Sequence, residues 1–178
     1  MIKEKYFMVL LAENNHGKGT VLESMVIKAN SHLTRKGEKR LQFSNRIVNA
    51  FVFRRSFQEV EKSKYPTPFD ALVGNFEEQN IQEDWYDKEL IIMPSHANQR
   101  ESCYNDVVQM METAQQYGYN TLLAYIMMDK ATDYAEYEDI LKLNWDKKWE
   151  LVNPRTANHL QECLSLGKDL FDKLDKLF

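Results

Sequence analysis

Apolar runs of strand length alternate along the chain with segments that have helical periodicity. Residues 6–12 read YFMVLLA, and an uninterrupted run of this kind is typical of a strand buried on both faces of a parallel sheet. Runs at 89–93 and 121–128 have the same character. Mixtures of β-branched and aromatic residues predict two further strands, at 47–53 and 149–152. The pattern therefore predicts five strands.

The segments between these strands carry apolar residues three and four positions apart, which indicates amphipathic helices. The first helix is predicted over 21–33, closed by a basic stretch with a glycine at 36–39. Further helices are predicted over 100–117, 137–145 and 156–178, with a short one at 56–62. Two prolines at 66 and 68 exclude regular helix at that point, and the stretch from there to residue 87 gives no clear pattern.

Strands separated by helices of this length define βαβ units. We therefore expect an α/β fold with a doubly wound parallel sheet of about five strands and helices on both faces. At 178 residues the chain is long enough to bury a sizeable core without disulfides. A single domain over 1–178 is the simplest organisation.

The composition of the chain argues against several classes of binding partner. The chain has 27 acidic and 23 basic residues, a net charge of -4, which argues against a generic nucleic-acid binder or a polybasic membrane-surface protein. Cys103 and Cys163 lie far apart and lack the Cys-x-x-Cys spacing of zinc or redox motifs. The apolar run at 6–12 is too short for a signal peptide or a membrane span. We expect a cytoplasmic protein with no membrane partner; the sequence does not indicate an oligomeric state.

The loop after the first predicted strand holds the clearest candidate chemistry. In a doubly wound sheet, ligands bind at the carboxyl ends of strands, where helix N-termini present free N–H groups. Residues 12–20 read AENNHGKGT and partly match the phosphate-loop pattern G-x-x-x-x-G-K-[ST]. The backbone N–H groups from about 15 to 20 could form an anion-binding nest, and the lysine could reach the β and γ phosphates. The predicted cofactor-binding residues here are Asn14, Asn15, His16, Gly17, Lys18, Gly19 and Thr20. The other interpretation is a polar loop that only caps a helix.

The string GKGT at 17–20 resembles the second half of the adenylate kinase phosphate loop. The chain is thus similar to P-loop NTPases of the small kinase type, although Ala12 and Asn15 stand where that family has glycines and His16 where it has a small residue. The resemblance implies ATP and Mg²⁺ as cofactors. It also implies that Thr20 orients the water ligands of the metal, and that a γ-phosphoryl group passes to a small molecule or nucleotide.

A second stretch resembles zeta-toxin-like kinases, in which an asparagine, a carboxylate and an arginine follow the second strand. Residues 48–55 read VNAFVFRR, so Arg54 or Arg55 matches the arginine, whereas Phe51 stands where the family has the carboxylate that acts as base. The base is therefore unassigned. The alternative is that the phenylalanines are core residues and the arginines solvated ends. Residues 111–128 resemble the helix, turn and strand that follow the substrate segment in such kinases.

Two more arginines are candidates. Arg100 begins a predicted helix and could stabilise charge in phosphoryl transfer, as an arginine of a lid does. Asn153 and Arg155 lie between the last strand and the last helix, where many kinases of this class hold adenine, and a planar guanidinium could stack on a base. The alternatives are a surface arginine and a helix start at Pro154 and Thr156.

Two functions remain open. The first is an ATP-dependent phosphotransferase with Lys18, Arg54, Arg55 and Arg100 as its catalytic residues. The second is a nucleotide-binding module or pseudo-kinase with a binding role, because the loop departs from the pattern and the strand at 89–93 ends in PSH without the aspartate of a Walker B motif. Ser95 and His96 could be polar site residues or only a turn, and the turn is the simpler interpretation. A carboxylate in the acceptor pocket would favour the kinase.

Overall fold

The computed structural model describes residues 4–13, 15–33, 36–97, 101–128, 130–154 and 158–178. It has an α/β fold, as the sequence predicts. The strands are β1 (Tyr6–Leu11), β2 (Glu38–Gln42), β3 (Ile47–Val52), β4 (Leu90–Ser95), β5 (Asn120–Met127) and β6 (Lys147–Val152). The helices are α1 (Lys18–Lys28), α2 (Pro68–Glu78), α3 (Glu101–Gln116), α4 (Lys130–Leu141) and α5 (His159–Asp175), with a π-helical turn at Phe57–Glu61 and a 3₁₀ turn at Trp85–Asp87.

The strands form one mostly parallel sheet in the order β2-β3-β4-β1-β5-β6. β1 lies inside the sheet, with Tyr6 opposite Leu90 of β4 on one side and opposite Asn120 of β5 on the other. All six residues of β1 are buried, because helices cover both faces of the strand. This burial explains the uninterrupted apolar run at the start of the chain.

The side chains of β1 alternate between two cores. Met8 and Leu10 pack with apolar residues of α1 and α5, whereas Phe7, Val9 and Leu11 pack with those of α2, α3 and α4. The sheet therefore has α1 and α5 on one face and α2, α3 and α4 on the other. No helix within the described ranges is long and apolar enough to cross a membrane.

The sheet has a strand that the sequence analysis did not predict. β2 pairs with β3 in the antiparallel direction, from Glu38 opposite Phe51 to Gln42 opposite Ile47. Its residues alternate between exposed and buried, as expected for an edge strand rich in charges. The polar residues of β2 explain why the sequence pattern did not indicate a strand there. The predicted helix over 21–33 was also too long, since α1 already ends at Lys28.

The unassigned stretch before residue 87 contains α2, so the prolines mark the start of a helix. Pro68 is the first helical residue, where its missing N–H is not needed. Thr67 caps the helix by accepting a hydrogen bond from the Asp70 backbone N–H at 3.1 Å. The other differences are shifts of helix and strand boundaries, the largest in α4, which begins at residue 130 instead of 137.

Candidate phosphate-binding site

The loop after β1 lies where the direction of chain connections reverses. β1 leads into α1 on one face of the sheet, and the neighbouring β4 leads into α3 on the other face. Such a reversal opens a crevice between the carboxyl ends of two adjacent strands, and this crevice is the usual ligand site of an open α/β sheet. The N-terminus of α1 borders that crevice.

The loop has the backbone form of an anion-binding turn. Gly17 is left-handed, with φ of 86°, and forms the N-cap of α1, while Asn15 is also left-handed, with φ of 61°. Asparagine tolerates this conformation better than most residues. Among the described residues no side chain caps the helix end, so the first N–H groups of α1 are available to an anion.

Helix α5 packs tightly beneath the loop. A Cβ on Gly17 would overlap the Sγ atom of Cys163, so this position needs glycine for space as well as for its left-handed backbone. The side-chain amide of Asn153 lies 3.2 Å from Nδ1 of His159 and 3.6 Å from the same sulfur atom. Asn153 is fully buried and does not line the cavity described below, and its role in nucleotide binding stays a prediction.

Lys18 is buried with its ammonium group inside the loop. Its Nζ donates hydrogen bonds to the carbonyl oxygens of Ala12 at 2.8 Å and Glu13 at 3.0 Å. Burial lowers the pKa of Lys18 to about 8, and the carboxylates of Glu59 and Glu13 offset part of that effect. The ammonium is therefore poorly solvated, and an anion in the loop would favour its charged form.

The loop forms one wall of a cavity of about 570 Å³, which we call the phosphate cavity. Arg54 and Arg55, which directly follow β3, also line this cavity and are exposed. Neither guanidinium has a hydrogen bond or an ion pair with another residue in the described part of the chain, so both are available to an anion. The phosphate cavity is lined by Asn15, Gly17, Lys18, Gly19, Thr20, Glu23, Leu33, Arg54, Arg55, Ser56, Glu59, Pro94 and Leu164.

The cavity also contains a carboxylate that the sequence analysis missed. Glu59 lies on the π-helical turn, and its Oε1 is 3.2 Å from Nε2 of His96. The imidazole is largely buried, and burial, followed by the nearby charge of Lys18, lowers the pKa of His96. A neutral imidazole can donate its Nε2–H to the carboxylate and hold it in place.

Gln58 ties the same turn to the end of β4. Its side-chain oxygen accepts a hydrogen bond from the His96 backbone N–H at 3.1 Å, and its side-chain nitrogen donates to Ser95 Oγ and Asp106 Oδ2, both at 3.0 Å. Ser95 and His96 therefore anchor the turn that carries Glu59, through Gln58 and, for His96, through a direct contact with Glu59. No feature of the segment SFQEVEK at 56–62 distinguishes this carboxylate from an ordinary surface glutamate.

The structure brings together most of the predicted site. The predicted residues that line the phosphate cavity are Asn15, Gly17, Lys18, Gly19, Thr20, Arg54 and Arg55. His16 and Asn153 do not line it. Asn14, Arg100 and Arg155 lie outside the described residues.

A hard divalent cation fits the donors of this cavity. Thr20 supplies a hydroxyl oxygen, and Glu23, three residues later on α1, supplies a carboxylate. The described residues contain no cluster of three or more histidine, cysteine or acidic side chains that could hold a metal alone. Mg²⁺ is usually bound by one or two protein oxygens together with phosphate oxygens, so the residues present fit a cation that arrives with a polyphosphate.

The buried ammonium predicts a pH-dependent stability difference between the native protein and Lys18→Met. Below pH 8, Lys18 is charged in the folded and unfolded chains, so the folded state bears the full cost of burial. Between pH 8 and pH 10.5, the ordinary pKa of a lysine side chain, only the unfolded chain keeps the proton on Lys18. The stability of the native protein therefore rises with pH over this range. The free energy of unfolding of Lys18→Met minus that of the native protein should therefore fall by roughly 3 kcal/mol from pH 7 to pH 10.5.

Urea unfolding of both proteins at the two pH values measures this difference, and groups that titrate equally in both cancel. A difference that does not change with pH would show that the ammonium is fully hydrated.

Comparison of the chain with known protein families, with curated proteins and with solved structures finds no significant match. The geometry of the site therefore carries the evidence for function.

Proposed function

We propose that the protein binds a nucleoside triphosphate, ATP, with Mg²⁺ in the phosphate cavity and transfers its γ-phosphoryl group to a small acceptor. The observation that carries this proposal is the convergence of four features on one cavity. These are the left-handed loop, Lys18, the pair Arg54 and Arg55, and the carboxylate of Glu59. Phosphoryl transfer depends mainly on positioning and on cations around the transferring group, and the three cationic side chains that line this cavity support such a role.

Each part of the cavity has a distinct role in this proposal. The N–H groups at the start of α1 hold phosphate oxygens, and Lys18 moves from the carbonyls of the loop to neutralise their charge. Thr20 and Glu23 hold Mg²⁺, which when bound neutralises charge on the phosphates. Arg54 and Arg55 stabilise the charge on the group in transfer.

Glu59 is the proposed general base. The acceptor hydroxyl loses its proton to the Glu59 carboxylate as its oxygen forms a bond to the γ phosphorus. The bond from that phosphorus to the β,γ-bridging oxygen breaks, and the diphosphate leaves with the electron pair. His96 is a positioning residue for this carboxylate, because it contacts Glu59 at 3.2 Å and does not line the cavity.

A second function is a nucleotide-binding module without transfer. The end of β4 favours it, because the strand closes on Ser95 and His96 where a Walker B motif would supply a carboxylate to the metal. Phe51, at the position of the zeta-toxin-like carboxylate, is 1% exposed and packs on Phe76 in the core. Glu23 and Glu59 are the two carboxylates in the described lining of the phosphate cavity that could take the place of these missing acids.

A panel of ATP, ADP, AMP and inorganic triphosphate, each with and without Mg²⁺, tests binding. A ligand that binds only the native state stabilises it by about 2.7 kcal/mol at one hundred times its dissociation constant. We expect ATP with Mg²⁺ to raise the melting temperature most and AMP least. If none of the four raises it at millimolar concentration, the proposal is wrong. Binding of ATP without its consumption in the presence of any acceptor would favour the module.

A further inference from the structure

A second cavity opens beside the phosphate cavity. It has a volume of about 350 Å³, within the range of small-molecule sites, and we call it the aromatic cavity. Arg54 and Arg55 line both cavities. A molecule in the aromatic cavity therefore has one end at the arginine pair, next to the place proposed for the γ-phosphate. The aromatic cavity is lined by Gly37, Phe51, Val52, Phe53, Arg54, Arg55, Val60, Glu61 and Asn75.

The apolar wall of this cavity consists of closely packed aromatic rings. Phe51 and Phe53 come from the end of β3, with ring centroids 5.1 Å apart, and the first ring lies 4.6 Å from that of Phe76. Gly37 packs closely against the ring of Phe51, since a Cβ on Gly37 would overlap that ring. A preformed aromatic wall suits a flat ring, which gains contact area without reorganising the protein.

The polar wall can only accept hydrogen bonds. The Asn75 amide nitrogen donates to Glu61 Oε2 at 3.1 Å and to the carbonyl of Ala71 at 2.8 Å. Both of its N–H bonds are thus used, and because both partners are acceptors the orientation of the amide is fixed. Two acceptor atoms, Glu61 Oε1 and Asn75 Oδ1, have no partner among the described residues. A ligand that meets this wall must supply donors, because an acceptor placed there would be repelled.

We infer that the aromatic cavity binds the acceptor molecule, and that this acceptor is a flat heterocycle whose edge carries two adjacent N–H donors. The donor edge meets Glu61 and Asn75, the ring faces Phe51 and Phe53, and a hydroxyl or phosphate substituent reaches the arginine pair. The inference rests on the proposed function for the role of acceptor, but the binding itself does not need ATP.

Isothermal titration of the nucleotide-free protein with two probes tests the binding. Guanosine carries adjacent ring N–H and amino donors on one edge, whereas purine riboside has the same rings and sugar without them. We expect guanosine to bind at least about 10-fold more tightly, the scale of leaving a buried polar group unpaired. Equal affinities, or no binding of guanosine at millimolar concentration, would overturn the inference.

The variant Glu61→Gln tests the polar wall. The new amide keeps an oxygen for Asn75 but presents donors to the ligand, so we expect guanosine affinity to fall about 10-fold or more while purine riboside affinity stays unchanged. The matched control is Glu77→Gln on the exposed side of α2, which should change neither. A loss of affinity for both probes in Glu61→Gln would mean that the cavity does not recognise the N–H donors on the edge of the ligand.

The two proposals fail separately. Binding of ATP without selective binding of guanosine would overturn only the inference about the ligand of the aromatic cavity. Selective binding of guanosine in a protein that binds no ATP would overturn the acceptor role together with the proposed function. Phosphorylation of the guanosine hydroxyl by ATP, lost in Glu61→Gln, would support both.

Discussion

Replacing Lys18 with alanine is expected to weaken ATP binding by about 2 to 4 kcal/mol, the scale of removing one partner from a charge-assisted contact. Lys18 is the first residue of α1 and the only lysine or arginine within 12–20. Its ammonium is already held in the loop by two carbonyl oxygens, so little movement is needed to reach an anion there. A buried charge also interacts more strongly with a phosphate than an exposed one.

Isothermal titration of ATP with Mg²⁺ into both proteins measures this effect. The control is Lys148→Ala, which removes a lysine that lines neither cavity and whose Nζ donates to the carbonyl of Leu141. The control should bind ATP as the native protein does. Equal ATP affinity in Lys18→Ala and the native protein would mean that the segment before α1 serves only to begin the helix.

The position of the phosphate cavity could be predicted from the sequence because its signals are local. The buried run of β1, the glycine before α1 and the lysine after it lie within 6–18, and the rule that ligands bind at strand ends places them together. The same rule brings Arg54 and Arg55 to this edge, since they directly follow β3. Local pattern and topology suffice for these residues.

Glu59 could not be predicted, because its role depends on contacts between distant segments. The π-helical turn that carries it is fixed by Gln58, which bonds to Ser95, His96 and Asp106. Those partners lie 37 to 48 residues away in the chain. A pattern read along the sequence contains no information about such contacts, and glutamate is common on exposed helical turns.

The missing strand β2 has a related cause. Its inward residues are Lys39 and Leu41, so one of two core-facing positions is charged and the alternation of apolar and polar residues is too short to detect. The side-chain ammonium of Lys39 is satisfied locally by the carbonyl oxygens of Lys36 and Glu38. Pairing with β3, and not hydrophobicity, determines that this segment is a strand.

The electrostatic arrangement of the phosphate cavity also limits what it can bind. Lys18, Arg54 and Arg55 line the same cavity as Glu23 and Glu59, so an anion alone would meet both attraction and repulsion. A polyphosphate with a divalent metal ion suits both groups of side chains. The metal ion would contact the carboxylates, and the phosphate oxygens would contact the lysine and arginines. The affinity of the protein for ATP is therefore expected to depend on Mg²⁺.

Replacing Glu59 with glutamine is expected to lower the rate of phosphoryl transfer by about 10²- to 10⁴-fold, the usual contribution of a general base. The amide keeps the shape of the side chain and can still accept a hydrogen bond from Nε2 of His96, so the π-helical turn should stay in place. It cannot take a proton from the acceptor hydroxyl. Because the Arg54 and Arg55 cations and the loop are unchanged, ATP affinity should change by less than about 10-fold.

Single-turnover measurement of transfer, together with titration of ATP, separates these effects. Glu77→Gln, an exposed change that lines neither cavity, should transfer at the native rate. A native rate in Glu59→Gln would remove Glu59 as base and leave Glu23 as the other carboxylate in the described lining of the phosphate cavity. An equal loss of rate and of ATP affinity would instead assign Glu59 to holding Mg²⁺, because a metal ligand acts on the bound nucleotide before any proton moves.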